Sequence, residues 1–338
     1  MRKTKKIDAV DAKILKTLLR DSRTSFTQIS KDCKISVTAV RRRYDRLKKA
    51  GIITGELVEV NLRSFGIENI VEIGIKASVD NEENVREFLK KNRHIIAAEL
   101  GTETFGKYNI VALAVLPKMA DLTTVIKEVA SNPDVKGVET LVWTDSTGTM
   151  FMENLEITPF VSKDKKEVAT ESLLLNMKQT PIVELEGAQI DQVDRQIVNI
   201  LSRNSRTPFD KIAKQIGVST KNVIQRYKKL REGNVLIKST ISVNLKKLGY
   251  NCLAFVFLKL QNINKMEELQ EKLFRIPNLI ESSHFAGAYD LRATFALRDI
   301  QELLNLAKHI RKIEGIEDVQ IFPNDLYLNS YPPLMMPP

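Results

Sequence analysis

Cysteine is nearly absent: Cys33 and Cys252 are the only two in 338 residues. Two cysteines are too few for a disulfide framework, and these two lack the paired spacing of a zinc site. Both stand among apolar neighbours and are expected as buried, reduced thiols. No apolar run approaches the roughly 18 residues of a membrane span, so no membrane contact is expected. The opening MRKTKK has no apolar region behind it and does not read as a secretory leader. There is no metal-ligand spacing, nucleophile–base arrangement or Gly-rich phosphate loop. The sequence therefore implies no catalytic residue, metal or cofactor. A soluble protein of a reducing cytoplasm remains, and at 43% apolar content it is long enough for two or three domains.

What the chain does have is positive charge, unevenly placed. The net charge is +10, yet residues 1–55 alone carry +11, residues 188–240 carry +7, and the remainder is acidic. The densest stretch is VTAVRRRYDRLKK (37–49), in which Arg41, Arg42, Arg43, Arg46, Lys48 and Lys49 face one acid, Asp45. A run of this kind is either a solvated helix face or a surface laid along a polyanion. Confinement of the charge to two segments favours the polyanion.

Those two segments repeat each other. Residues 8–51 align without gaps on 191–234 at a constant displacement of 183, with 17 identical positions. These include D-x-x-D, S-R-T (22–24 and 205–207), Ser36/Ser219, Arg43/Arg226 and Leu47/Leu230. So long a period marks a duplicated module, because solenoid repeats recur every 20–50 residues or so.

Within the first copy, Val10, Ile14 and Leu18 recur at helix spacing behind Asp8. Phe26, Ile29 and Cys33 follow Ser25, and Val40, Tyr44 and Leu47 follow Ser36. Three short helices in this order predict a helix-turn-helix, with the third helix able to enter a major groove. Thr38, Arg41 and Arg42 are expected at base edges, and Arg43 and Arg46 at phosphate. The second copy offers Thr220, Lys221, Gln225, Arg226 and Lys229, a different set that implies a different half-site. A strand follows each helical unit, and then a βαββαβ pattern of the ferredoxin-like kind. LAFVFLKL (253–260) is apolar on both faces and predicts sheet-to-sheet packing.

The expected fold is α+β: two winged-type helix-turn-helix domains and two ferredoxin-like βαββαβ domains in tandem. The divisions fall at 1–62, 63–159, a linker at 160–187, 188–245, 246–328 and a Pro-rich tail at 329–338. Trp143, the sole tryptophan, is expected in a core.

The third-helix pattern S-x-x-x-V-x-x-R-Y-x-[RK]-L, the preceding D-x-x-D and S-R-T, and the hairpins GKYN (106–109) and GAYD (287–290) resemble the Lrp/AsnC, or feast/famine, transcription regulators. The resemblance covers about 85% of the chain, as two units fused. It implies double-stranded DNA as partner and a cytoplasmic, nucleoid-associated place. It also implies an intramolecular pseudo-dimer able to self-associate, and a small effector, often an amino acid, near the hairpins. The matching effector positions are Gly106, Tyr108 and Asn109, and Gly287, Tyr289 and Asp290, with Asn109 standing where the family has Asp. The alternative reading of these residues is hairpin shaping and packing. Two rival functions stay open. One is a regulator acting through protein partners. The other is a sirohaem-decarboxylase-like enzyme on the same fold, for which His284 is the one matching residue, without a counterpart in the first copy.

Overall fold

The computed structural model describes residues 7–67, 69–104, 108–144, 149–150, 152–157 and 190–325. The basic N-terminal MRKTKK, the linker, Gly106 and the Pro-rich tail lie outside the described residues.

The chain opens on a reciprocal cap. Asp8 accepts from the Asp11 amide at 2.8 Å and Asp11 accepts from the Asp8 amide at 3.2 Å, which satisfies donors that a helix start leaves open. Helix α1 (Ala9–Arg20) buries Ile14, Leu15, Leu18 and Leu19. Helix α2 (Phe26–Cys33) ends where Lys34 turns into the left-handed region at φ 55°. Ser36 then caps α3 (Val37–Lys49) through the Ala39 amide, and Val40, Tyr44 and Leu47 point inward. The same order recurs in α6 (Gln192–Arg203), α7 (Phe209–Ile216) and α8 (Thr220–Glu232). There Gly217, at φ 74°, makes the turn that Lys34 makes in the first copy.

Strand β1 (Ile53–Val60) leads to β2 (Asn69–Ala77), α4 (Glu82–Leu89), β3 (Ile95–Thr104), β4 (Tyr108–Leu116), α5 (Asp121–Ala130), β5 (Val135–Trp143) and a short β6 (Thr149–Met150). In the second half β7 (Leu236–Val243) precedes β8 (Cys252–Leu260), α9 (Met266–Phe274), β9 (Leu279–Ala286), β10 (Leu291–Leu297), α10 (Ile300–Ile310) and β11 (Ile316–Asp325). The fold is thus α+β, with the ferredoxin-like order in each half.

The two four-stranded sheets join edge to edge in the order β11-β8-β10-β9-β5-β2-β4-β3. At the joint Val142 pairs with Ala286 and Trp143 with Phe285, and the outer strands β3 and β11 also touch. The sheet therefore folds over on itself around a shared interior. Strand β8 serves both sides. Ala254, Val256 and Leu258 pack under α9 and α10, while Leu253, Phe255 and Phe257 face the interior with Tyr108 and Leu141 of the other half. The sheet-to-sheet packing read from LAFVFLKL occurs inside one chain.

The helical units close across copies. Strands β1 and β7 pair antiparallel with each other. Ile241 and Val243 of β7 complete the core of α1–α3, and Val58 and Val60 of β1 complete that of α6–α8. Neither helical unit buries its apolar face with its own strand alone.

Cys33 and Cys252 are free as expected but half-buried rather than buried. Each thiol is pushed up from its usual range by the burial it does have. Trp143 is likewise half-buried, edge-on to Phe285 with centroids 5.8 Å apart.

Candidate nucleic-acid interface

The arginines of the third helix fall into two groups, paired and exposed. Arg43 donates to Asp8 at 2.6 Å and to Asp11 at 2.8 Å, and Arg46 also donates to Asp11. In the second copy Arg226 donates to Asp191 at 2.6 Å and Asp194 at 2.8 Å, with Lys229 3.8 Å from Asp194. Asp11 and Asp194 are fully buried, and a buried carboxylate requires a counter-charge. Hydrogen bonds to Asp194 and Asp191 raise the Arg226 pKa. The Asp194 amide and the Arg226 guanidinium hold the Asp191 carboxyl below its usual range. Phosphate contact was expected of Arg43 and Arg46 and DNA contact of Arg226. In the structure these arginines also tie the third helix to the first, through the buried acids of D-x-x-D.

The outward face is otherwise composed. Thr38, Arg41, Arg42, Asp45 and Lys49 are exposed on α3, as are Thr220, Lys221, Gln225 and Lys228 on α8. Among the described residues no ion pair engages Arg41 or Arg42. One member of this face was not foreseen from the sequence. Ile224, which is 37% exposed, takes on α8 the position that Arg41 has on α3. An apolar residue amid Thr220, Lys221 and Gln225 was a signal, but its spacing alone also fits a core position.

What aligns the two helices is the repeated S-R-T. The Ser22 and Ser205 hydroxyls meet at 2.6 Å, buried, and the Ser22 amide donates to Ser239 as the Ser205 amide donates to Glu56, each at 3.0 Å. Arg23 donates to the carbonyls of Ser205 and Thr207, and Arg206 to those of Ser22 and Thr24. Each guanidinium also lies over an aromatic ring of the other copy, Arg23 at 4.1 Å from Phe209 and Arg206 at 4.7 Å from Phe26. Every contact is matched by its partner at a displacement of 183, as a twofold relation between the copies requires. The sequence marked S-R-T as repeated but gave it no role.

The hairpin residues are engaged locally. Asn109 accepts from the Ala77 amide at 2.7 Å and donates to the Ala77 carbonyl and to Glu82. Asp290 accepts from the Leu260 amide at 2.8 Å and from Lys259 at 2.9 Å. Tyr108 and Tyr289 are buried. Burial and a hydrogen bond to Glu139 push the Tyr108 hydroxyl up to about 12. Gly287, at φ 151°, lets two strands approach: a Cβ there would stand 2.8 Å from the Leu141 side chain. His284 lies half-buried on β9, and desolvation lowers its pKa.

Between the sheets lies a charged group that the sequence did not suggest. Buried Arg292 of β10 donates to buried Glu72 of β2 in the other half, and to Glu281 at 3.3 Å through Nε and Nη2. Thr294 donates to Glu281 at 2.5 Å. Burial pushes the Glu72 carboxyl up despite Arg292. The group occurs once, since Phe255 stands where Glu72 would recur and Val111 where Arg292 would.

Comparison with known proteins agrees with this anatomy. A winged helix-turn-helix DNA-binding model matches residues 7–54, an AsnC-type helix-turn-helix model 190–231, and an Lrp/AsnC ligand-binding model 252–323. An HTH-type transcriptional regulator, FL11 of Pyrococcus furiosus, is 34% identical over 128 residues, which are 38% of this chain and 84% of the relative. The regulatory protein AsnC of Haemophilus influenzae is 27% identical over 132 residues, 39% of this chain and 88% of the relative. Among solved structures, the siroheme decarboxylase NirDL covers 93% of this chain and 90% of its own with a TM-score of 0.61. At 15% identity that likeness concerns the fold alone.

Proposed function

Because the chain belongs to the Lrp/AsnC family of DNA-binding transcription regulators, we propose that it binds double-stranded DNA sequence-specifically as a pseudo-dimer made from one polypeptide. The observation that carries the proposal is the division of labour on α3. Arg43 and Arg46 are engaged by buried acids, whereas Arg41 and Arg42 stay exposed on a helix of groove-filling width. Thr38, Arg41 and Arg42 are the base-reading candidates of the first copy; Thr220, Lys221 and Gln225 are those of the second. The twofold joint through Ser22 and Ser205 supports simultaneous use of both helices, and covalent linkage makes the second contact intramolecular.

The test is fluorescence anisotropy of the full chain on genomic duplex fragments at several salt concentrations. Affinity should fall steeply with salt, because each phosphate contact contributes about −0.9 to the log–log slope. Absence of binding at low salt would leave the protein-partner or enzyme readings instead.

For the effector, we assign a small molecule such as an amino acid to the second hairpin, Gly287, Tyr289 and Asp290, in preference to the first. Both amide donors of Asn109 are already engaged, whereas the Asp290 carboxylate accepts two hydrogen bonds and has capacity for more. Calorimetric titration with the common amino acids tests this assignment, and a heat unchanged by Asp290→Ala argues against it.

A further inference from the structure

We propose that the two recognition helices read chemically different half-sites, a guanine-bearing one under α3 and an adenine/thymine one under α8, so that the preferred duplex is asymmetric. The inference rests on the DNA-binding reading above and specifies its substrate.

The joint through Ser22 and Ser205 relates the helices by a twofold, so positions displaced by 183 meet equivalent places in their grooves. At two of these places the side chains differ in kind. Where α3 offers Arg41 and Arg42, α8 offers Ile224 and Gln225, all four exposed. A guanidinium presents a fixed fork that fits guanine O6 and N7. A carboxamide pairs instead with adenine N6 and N7, donating to one and accepting from the other. Ile224 has no hydrogen-bonding group. Its exposed surface is matched in a major groove by the thymine methyl, the one apolar feature that base edges present there. Ile224 and Gln225 are adjacent in the chain, so they address neighbouring base pairs, and one half-site should hold thymine and adenine together.

The internal comparison points the same way. Residues that hold the third helix, Ser36, Val40, Arg43, Tyr44 and Leu47, are identical in the second copy, whereas 41 and 42 are not. The buried positions of this helix are unchanged, and among the residues that pair with D-x-x-D only Arg46, replaced by Lys229, differs.

The experiment is selection of duplexes from a randomised pool by the full chain, followed by affinity measurements on the recovered site. The intact protein should recover a site with guanine in one half and an adjacent adenine and thymine in the other. Replacing the guanine should weaken binding roughly 10- to 100-fold. I224R/Q225R should convert the recovered site to guanine in both halves, and R41I/R42Q to adenine and thymine in both. A palindromic site from the intact protein, or sites unchanged by both folded variants, would overturn the inference while leaving DNA binding standing. Recovery of no duplex at all would overturn the DNA-binding reading itself, and the inference with it. Base replacement in the duplex needs no variant, so a misfolded variant cannot rescue the idea.

Discussion

The Ser22 and Ser205 hydroxyls touch at 2.6 Å in a buried place, each at the same position of its copy. Two hydroxyls so placed form a hydrogen bond in which one must donate and the other accept. Removing one leaves the other buried without that partner, which costs roughly 1–3 kcal/mol. Ser22→Ala and Ser205→Ala should each be destabilising, and the double substitution should cost less than their sum. Urea unfolding of the three variants measures this, and additive losses would show that the contact contributes nothing.

Arg43→Ala should act on stability first. It removes two hydrogen bonds from Asp8 and Asp11 and leaves fully buried Asp11 dependent on Arg46. Because Arg43 is itself partly exposed, the expected loss is roughly 1–3 kcal/mol, below the range for a fully buried pair. Arg226→Ala should lose more, since Lys229 stands farther from Asp194, at 3.8 Å, than Arg46 stands from Asp11. Denaturant midpoints for the pair of variants settle the order.

Arg42→Ala should do the reverse. An exposed side chain without an ion pair contributes little to folding, so the melting temperature should hold while DNA affinity falls roughly tenfold or more and base preference changes. A fall in stability without a change in base preference would remove Arg42 from the reading surface.

Acid should relieve a strain at Glu59. Burial pushes this carboxyl up to about 7, with Lys238 opposing and Glu153 adding to the rise. The folded protein therefore holds a proton that the unfolded chain releases near 4.5. The associated stability is fully present below that lower value and is lost as pH rises through about 7, at most about 3 kcal/mol. Glu59→Gln should flatten unfolding free energy against pH over this window. A slope that survives in the variant would place its source elsewhere.

Separated halves should find each other. Residues 1–159 alone lack the β7 residues that close α1–α3, so they should not form a folded monomer. Pairing two first halves would set Glu72 against Val111, the counterpart of Arg292, and leave a buried charge uncompensated. Mixed first and second halves should thus form the heterodimer in preference to either homodimer. Native mass spectrometry of the mixture reads the outcome, and a statistical distribution of dimers would show that the charged group exerts no choice.

Much of the architecture was legible because it is local or repeated. Helix periodicity with Asp8, Ser25 and Ser36 as caps placed α1–α3, alternation placed the strands, and the displacement of 183 revealed the two copies. What escaped was the pairing between distant segments. Nothing within 53–60 says that its partner is 236–243, and nothing around Glu72 names Arg292, 220 residues away. The fate of Arg43 lay between these extremes. Its persistence in both copies together with D-x-x-D, beside the loss of Arg41 and Arg42, already set it apart from them. That contrast was visible, but the burial of Asp11 that gives it meaning was not.

The exchange of strands between the helical units has a consequence for biosynthesis. A ribosome adding about 5–20 residues per second emits β1 on the order of ten to forty seconds before β7. Throughout that interval the nascent α1–α3 lacks Ile241 and Val243 and presents uncovered apolar surface to the cell. More than two thirds of the chain must therefore emerge before its leading end can become native, and chaperone occupancy of that end should cease only as residues near 243 clear the exit tunnel.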